Sequence, residues 1–236
     1  SSSSSSSSSS SVTTFTSSNE WIDHQVHQLH QSISHHNLNT PPPLLVAHSG
    51  STFIAQKYLE SFAAAGLVLL NPWPPHPQRV AAQLLLEWKS AANSSSSSSD
   101  FDATITNNNI NSTYNQLQVD EIICRYYRMP GGGSISHVAQ DSDSFQKSSA
   151  ILQWCALNGD QIAVDLEPGV VPTMIVTSAA DVINEDEIDS LKEQHNVPDE
   201  WHLKMNSDLT RVSMLQESSC YTLNNVILNW VEDSVM

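Results

Sequence analysis

Apolar residues recur along the chain in two rhythms. From Trp21 onward, Ile22, Val26, Leu29 and Ile33 fall three to five positions apart, which predicts an amphipathic helix with one apolar stripe. Ser17-Ser18-Asn19-Glu20 just ahead of it fits a capping box. The triple proline Pro41-Pro42-Pro43 then forbids helix and sets up extended chain. Leu44–Ala47 is wholly apolar, the pattern of a strand buried on both faces. Thr52–Ala65 returns to helical spacing through Ile54, Tyr58 and Phe62, with Gly66 as its stop. Leu67–Leu70 is a second apolar run, reached through almost no loop. Strand, helix and strand in this tight order make a βαβ unit with parallel strands.

Asn71-Pro72-Trp73-Pro74-Pro75 ends that strand, and Gln78–Lys89 is expected to be helical, with Val80, Leu84, Leu85 and Trp88 on one side. A serine- and asparagine-rich stretch follows. Val119–Tyr127 and Phe145–Leu157 are expected to be helical, with a flexible Gly131–Gly133 between them. Thr173–Thr177 is a third apolar strand. Asn184-Glu185-Asp186-Glu187 caps a helix running to about His195, Thr210–Leu215 is a fourth strand, and Leu223–Val231 a last helix with Val226, Ile227, Trp230 and Val231 inward. The pattern predicts an α/β fold with an open, mostly parallel sheet, helices on both faces, and a helical, low-complexity lid insertion. Residues 1–18 are expected to be a disordered serine-rich tail. Residues 19–236 are expected to form one domain, with a core of 19–78 and 172–236 and a lid of about 79–171 that includes a disordered 93–115.

Charge narrows the partners. The formal net charge is −16, with only nine Lys and Arg in 236 residues. A polyanion is repelled by such a chain, so nucleic acid and anionic membranes are not expected as partners. Three cysteines, Cys124, Cys155 and Cys220, stand at long spacings, with no disulfide framework and no CxxC pair. A reducing compartment, the cytoplasm, is the expectation. No apolar run reaches membrane-spanning length, and Ser1–Ser11 has neither the charged start nor the apolar centre of a signal peptide. His24, His27, His30, His35 and His36 mark the polar face of the first helix. Histidines at helical spacing suit a transition metal, but no acidic or cysteine partner sits at matching spacing. No metal is expected, and that face is expected to be solvated. No glycine-rich phosphate turn follows a strand, so no nucleotide cofactor is expected either.

In open α/β sheets, sites form at the carboxyl ends of strands. Ser49 and Asp181 stand at two such ends. Ala47-His48-Ser49-Gly50-Ser51 fits a relaxed G-x-S-x-G turn, which needs small residues two before and two after the serine because the backbone folds tightly there. Gly50 would place a backbone N–H beside an oxyanion at the start of a helix. The motif alone leaves two uses open for each residue. Ser49 is a nucleophile or a plain polar residue after a strand, and Asp181 is an acid or a turn residue before Asn184.

Four segments in order carry a resemblance: PLLVAHSGSTFIAQKY, AGLVLLNPWPP, PTMIVTSAADVINEDEI and CYTLNNVILNWVED. In these the chain resembles the α/β-hydrolase family, in its lipase, esterase and peptidase-like branch, over roughly residues 20–90 and 170–234. The resemblance implies that Ser49 is the nucleophile, Gly50 an oxyanion donor and Asp181 the acid that orients a histidine base. It also implies a small-molecule ester or amide substrate, chosen by the lid.

Two departures qualify what it implies. The family's histidine lies just past the last strand, where this chain reads Ser218-Ser219-Cys220-Tyr221. Cys220 thus stands at the base position. A thiol has one ionisable atom, so it cannot face serine and acid together, and its ordinary pKa of about 8.5 leaves it mostly protonated at neutral pH. His76, after the second strand and on the same rim, is the candidate replacement. His195 and His202 precede the expected fourth strand and are expected at the opposite end of the sheet from Ser49. His48 is expected to pack rather than act as acid or base, and Trp73, Trp88 and Trp154 to pack in the core. The second departure is upstream of Pro41, where only one helix and a serine tract stand in place of the family's early strands and oxyanion loop. With no initiator Met, the chain is expected to be a fragment whose sheet has an exposed apolar edge. Two functions follow: a serine-type ester or amide hydrolase with a degenerate triad, or a non-catalytic pseudo-hydrolase acting as a binding or scaffold protein.

Overall fold

The computed structural model describes residues 18–93, 142–178, 183–205 and 217–235. Within them, four parallel strands form one sheet in chain order: β1 (Leu44–His48), β2 (Gly66–Leu70), β3 (Thr173–Ser178) and β4 (His202–Met205). Helix α1 (Ser18–His35) precedes the sheet, and α2 (Gly50–Leu59) joins β1 to β2. Helices α3 (Gln78–Asn93) and α4 (Ser142–Asn158) lie between β2 and β3, α5 (Glu185–His195) joins β3 to β4, and α6 (Glu217–Ser234) is the last described element.

Each new strand is added on the same side of the last. Right-handed crossovers therefore deliver their helices to one face. Alternate strand residues show this. Leu45, Ala47, Leu67, Leu69 and Ile175 pack against α1 to α5 in one core. Val68, Leu70, Met174 and Val176 pack on the other face, against Leu223 and Trp230 of α6. The result is an α/β fold with a parallel sheet and helices on both faces, as the sequence predicts.

Some expectations change in detail. The burial pattern of β2 and β3 is complete, as their apolar runs predict, but β1 is the edge strand and Val46 is 53% exposed. Helix α6 covers the middle of the sheet and leaves Val46 outside, so an apolar run alone overstates burial at an edge. Ser51 Oγ serves the outer side of β1, accepting from His48 N–H (3.1 Å) and donating to His48 C=O (2.7 Å). Helix α2 stops at Leu59 with Glu60 as its C-cap in right-handed conformation, six residues before the expected end. Gly66 is the first residue of β2 instead of a helix stop. A Cβ there would lie 3.1 to 3.2 Å from Leu44, Val235 and Trp230, so closeness of packing is what calls for glycine. The last strand among the described residues is His202–Met205, which was not expected, and the expected strand Thr210–Leu215 lies outside them. So do the serine tail with Ser17 of the expected capping box, Val119–Tyr127 and Gly131–Gly133.

The helix starting at Glu185 has the predicted cap. Asn184 Oδ1 accepts from Glu187 N–H (2.9 Å), and Glu187 Oε2 accepts from Asn184 N–H (3.0 Å). Helix α3 opens the expected lid segment as a core helix, with Val80 and Ala81 fully buried. At the far end of that segment, a Cβ on Gly159 would lie 2.5 Å from Gln78 Cβ, so the backbone leaving α4 touches the start of α3. The polar face of α1 is not simply solvated. The His30 ring stacks on Phe62 (centroids 3.8 Å apart, planes 9° apart), and its Nδ1 lies 3.3 Å from the Tyr58 hydroxyl. Helix α1 runs against α2 on that side, so His30 becomes packing surface, while His27, His35 and His36 stay exposed as expected.

Candidate active site

Ser49 occupies the turn between β1 and α2. A plain serine at the start of a helix takes extended dihedrals and spends its hydroxyl on an N–H of the first turn. Ser49 does neither: φ is 54°, ψ is −130°, and its side chain makes no capping bond. The cap is made instead by its carbonyl, which accepts from Thr52 N–H (2.9 Å) and Thr52 Oγ1–H (2.5 Å). Positive φ in a serine costs on the order of 1–3 kcal/mol and persists only where its surroundings over-determine it. Here the turn is pinned on the strand side as well, by Ser49 N–H donating to Leu70 C=O (2.9 Å). Ser49 is thereby left half-buried at the carboxyl end of β1, with its hydroxyl outside the helix cap.

Gly50, the first residue of α2, has the Trp73 indole against it, 3.5 Å from where a Cβ would stand. Its N–H belongs to the first turn of a helix, where backbone donors lack helical partners and face developing negative charge favourably. Behind the turn lies a buried polar cluster. Thr52 Oγ1 accepts from Trp73 N–H (2.8 Å), and Gln56 Nε2 donates to Trp73 C=O (3.0 Å) and Thr52 C=O (3.2 Å). Asn71, at φ 46°, laces the neighbouring strand ends: its N–H donates to Val176 C=O and its Oδ1 accepts from Ser178 N–H, each at 2.8 Å. Trp73 is buried as expected, while Trp88 and Trp154 pack partly buried on the same core.

The other expected site residues fare differently. Asp181 lies outside the described residues. Cys220 falls in the first turn of α6, because that helix starts at Glu217, six residues earlier than its apolar pattern suggests. His76 is exposed in the turn ahead of α3. His202 is not at the opposite end of the sheet, since it begins β4 itself and is level with Ile175. That register puts it level with Ala47 of β1, three strand spacings or roughly 14 Å across the sheet. Its Nε2 is 3.1 Å from Thr177 Oγ1, and burial, with help from Lys204 and Lys192, pushes its pKa down. His195 ends α5, is 3% exposed and lies against Gln56, about 10 Å down α2 from the turn. Burial pushes its pKa down to about 4. No hydrogen bond joins Ser49 Oγ to a histidine among the described residues.

Asn71, Thr52, Gln56 and His195 were not foreseen. Thr52, three residues beyond Ser49, is the one with a sequence signal, since that offset lets a hydroxyl reach back to a turn carbonyl. A separate groove of about 400 Å³ runs between α1, β1 and α2, lined in part by Gln25, Gln28, Val46 and Ser51, and Ser49 does not line it. Among the described residues no group of His, Cys, Asp and Glu could hold a metal, and no helix is long and apolar enough to cross a membrane.

No protein-family model matches the chain, and no curated protein does. Among solved structures, the chain is similar to the Vlm2 thioesterase domain, carrying genetically encoded 2,3-diaminopropionic acid and bound with a dodecadepsipeptide. The likeness is 10% identity and a TM-score of 0.49, over 87% of this chain and 73% of that one.

Proposed function

We propose that this chain is a serine-type hydrolase scaffold in which Ser49 is the nucleophile toward a small ester or amide. One observation carries this: Ser49 is held at φ 54° with its hydroxyl spent on no cap, a conformation that costs stability and serves presentation of Oγ. In the reaction, Oγ forms a bond to the substrate carbonyl carbon and loses its proton to a base. The carbonyl oxygen takes up negative charge beside Gly50 N–H; collapse of the adduct breaks the C–O or C–N bond, the base returns its proton to the departing alcohol or amine, and water then cleaves the acyl-serine by the same steps. Asp181 is the proposed acid, and His76 the proposed base. Cys220 marks the place where the family's histidine is lost.

A second reading is a non-catalytic pseudo-hydrolase that binds through the same fold. It is favoured by the absence of any described histidine bonded to Ser49 Oγ. A fluorophosphonate probe separates the two, because it labels an activated serine only. The hydrolase reading expects slow labelling of the folded chain, lost in Ser49→Ala and on heating. Loss of one triad member costs several orders of magnitude without abolishing turnover, so slow labelling is the signature. No labelling of Ser49 above the heated control would establish the second reading.

A further inference from the structure

We propose that His195 is a positioning residue for the Ser49 turn, acting through the buried amide of Gln56. This rests on the reading of Ser49 as a nucleophile. Gln56 is fully buried at the centre of the polar cluster behind the turn. Its Nε2 supplies two carbonyls, those of Thr52 and Trp73. With both amide protons used there, Oε1 is left needing a donor. His195 Nε2, 3.3 Å away, provides it, which fixes the imidazole tautomer with its proton on Nε2. The amide orientation is thus set from α5, and it sets in turn where Trp73 and Thr52 sit. Thr52 is the residue whose hydroxyl and N–H both hold the Ser49 carbonyl. Three crossovers meet in this chain of bonds: α2 by Thr52 and Gln56, the β2–α3 connection by Trp73, and α5 by His195.

A buried acceptor without a donor carries a desolvation penalty, and an amide relieved of its anchor turns or shifts. Removing the His195 donor therefore loosens the bonds that keep Ser49 at positive φ, although His195 itself stands well away from the hydroxyl. An apolar core residue of α5 has no such route. Ile188 is buried in the same helix and serves as the comparison.

The test uses the full chain and three variants. His195→Phe keeps a ring and removes the donor, His195→Gln restores a donor at similar reach, and Ile188→Val weakens the same helix by packing alone. Two readouts are taken: amide hydrogen exchange at Thr52 and Trp73, and the rate of fluorophosphonate labelling at Ser49. In His195→Phe, the Thr52 and Trp73 amides are expected to exchange at least ten-fold faster relative to α6 amides, with labelling slowed by a similar factor. His195→Gln recovers both, and Ile188→Val moves neither. Wild-type exchange in His195→Phe, no recovery in His195→Gln, or the same change in Ile188→Val would overturn the proposal. If His195→Phe does not fold, Thr52→Val breaks the same bonds at the Ser49 end and must give the same two effects. If the amides respond while wild-type Ser49 is never labelled, the nucleophile reading fails and the positioning of the turn stands.

Discussion

Acidification should cost this protein stability through one buried imidazole. His195 is 3% exposed, and burial pushes its pKa down to about 4 from 6.5. Between those values the unfolded chain binds a proton that the folded chain refuses. Stability therefore rises with pH through the window: the cost from this group is absent above about 6.5, grows as pH drops toward 4, and grows no further below. At pH 5.0 the unfolded imidazole is about 97% charged and the folded one about 9%, which gives a loss of about 2 kcal/mol relative to pH 7.5. The assay is urea unfolding followed by tryptophan fluorescence, in wild type and His195→Gln at both pH values. With a slope of about 2 kcal/mol per molar urea, the wild-type midpoint falls about 1 M further than the variant's. His202, shifted in the same direction by burial, is present in both proteins and cancels. A wild-type loss no larger than that of His195→Gln would show that the imidazole is reached by water or already charged, and the reasoning from burial would be wrong.

Ser49→Gly should be more stable than Ser49→Ala by about 1 kcal/mol, since only glycine relaxes at φ 54°, while neither is labelled by a fluorophosphonate; equal melting temperatures would count against strain. Asn71→Ala should cost about 2 kcal/mol in urea unfolding, because the buried Ser178 N–H loses its acceptor and the left-handed backbone loses its tolerant residue. Gly159→Ala should destabilise the chain by about 2 kcal/mol or more, since the added carbon meets Gln78 backbone at 2.8 Å. Gly66→Ala, whose close contacts are all side chains, should cost less in the same assay.

Much of the architecture was legible because apolar runs and helical spacing report burial directly. The runs in β2 and β3 and the capping box at Asn184 are of that kind. The turn at Ser49 was legible as a motif, but its decisive property, positive φ with an unspent hydroxyl, is a backbone fact that residue names do not carry. Strand β4 was not expected, because His-Leu-Lys-Met at the border of the sheet looks like loop. Gln56 and His195 read as polar helix positions. Nothing local tells that each is the other's buried partner across 139 residues. His30 of α1 misled for a similar reason: imidazole is polar by composition and aromatic in contact, and here it is used as an aromatic.

The hydroxyl of Ser51 bears on self-association. Ser49 N–H and Pro43 C=O both point inward across the sheet, to Leu70 and Ala65. By alternation Leu45 and Ala47 do likewise, and Pro42, Leu44, Val46 and His48 turn their backbone groups outward. Pro42 has no N–H, and both groups of His48 are already taken by Ser51. Among the described residues of this border, Leu44 and Val46 remain as a template, too short a row to fix the register of a second copy. An apolar border strand that would otherwise seed stacking is thus blunted at both ends, by an imino acid and by one side-chain oxygen. Ser51→Ala should extend the template by one residue and lower the concentration at which the chain begins to aggregate.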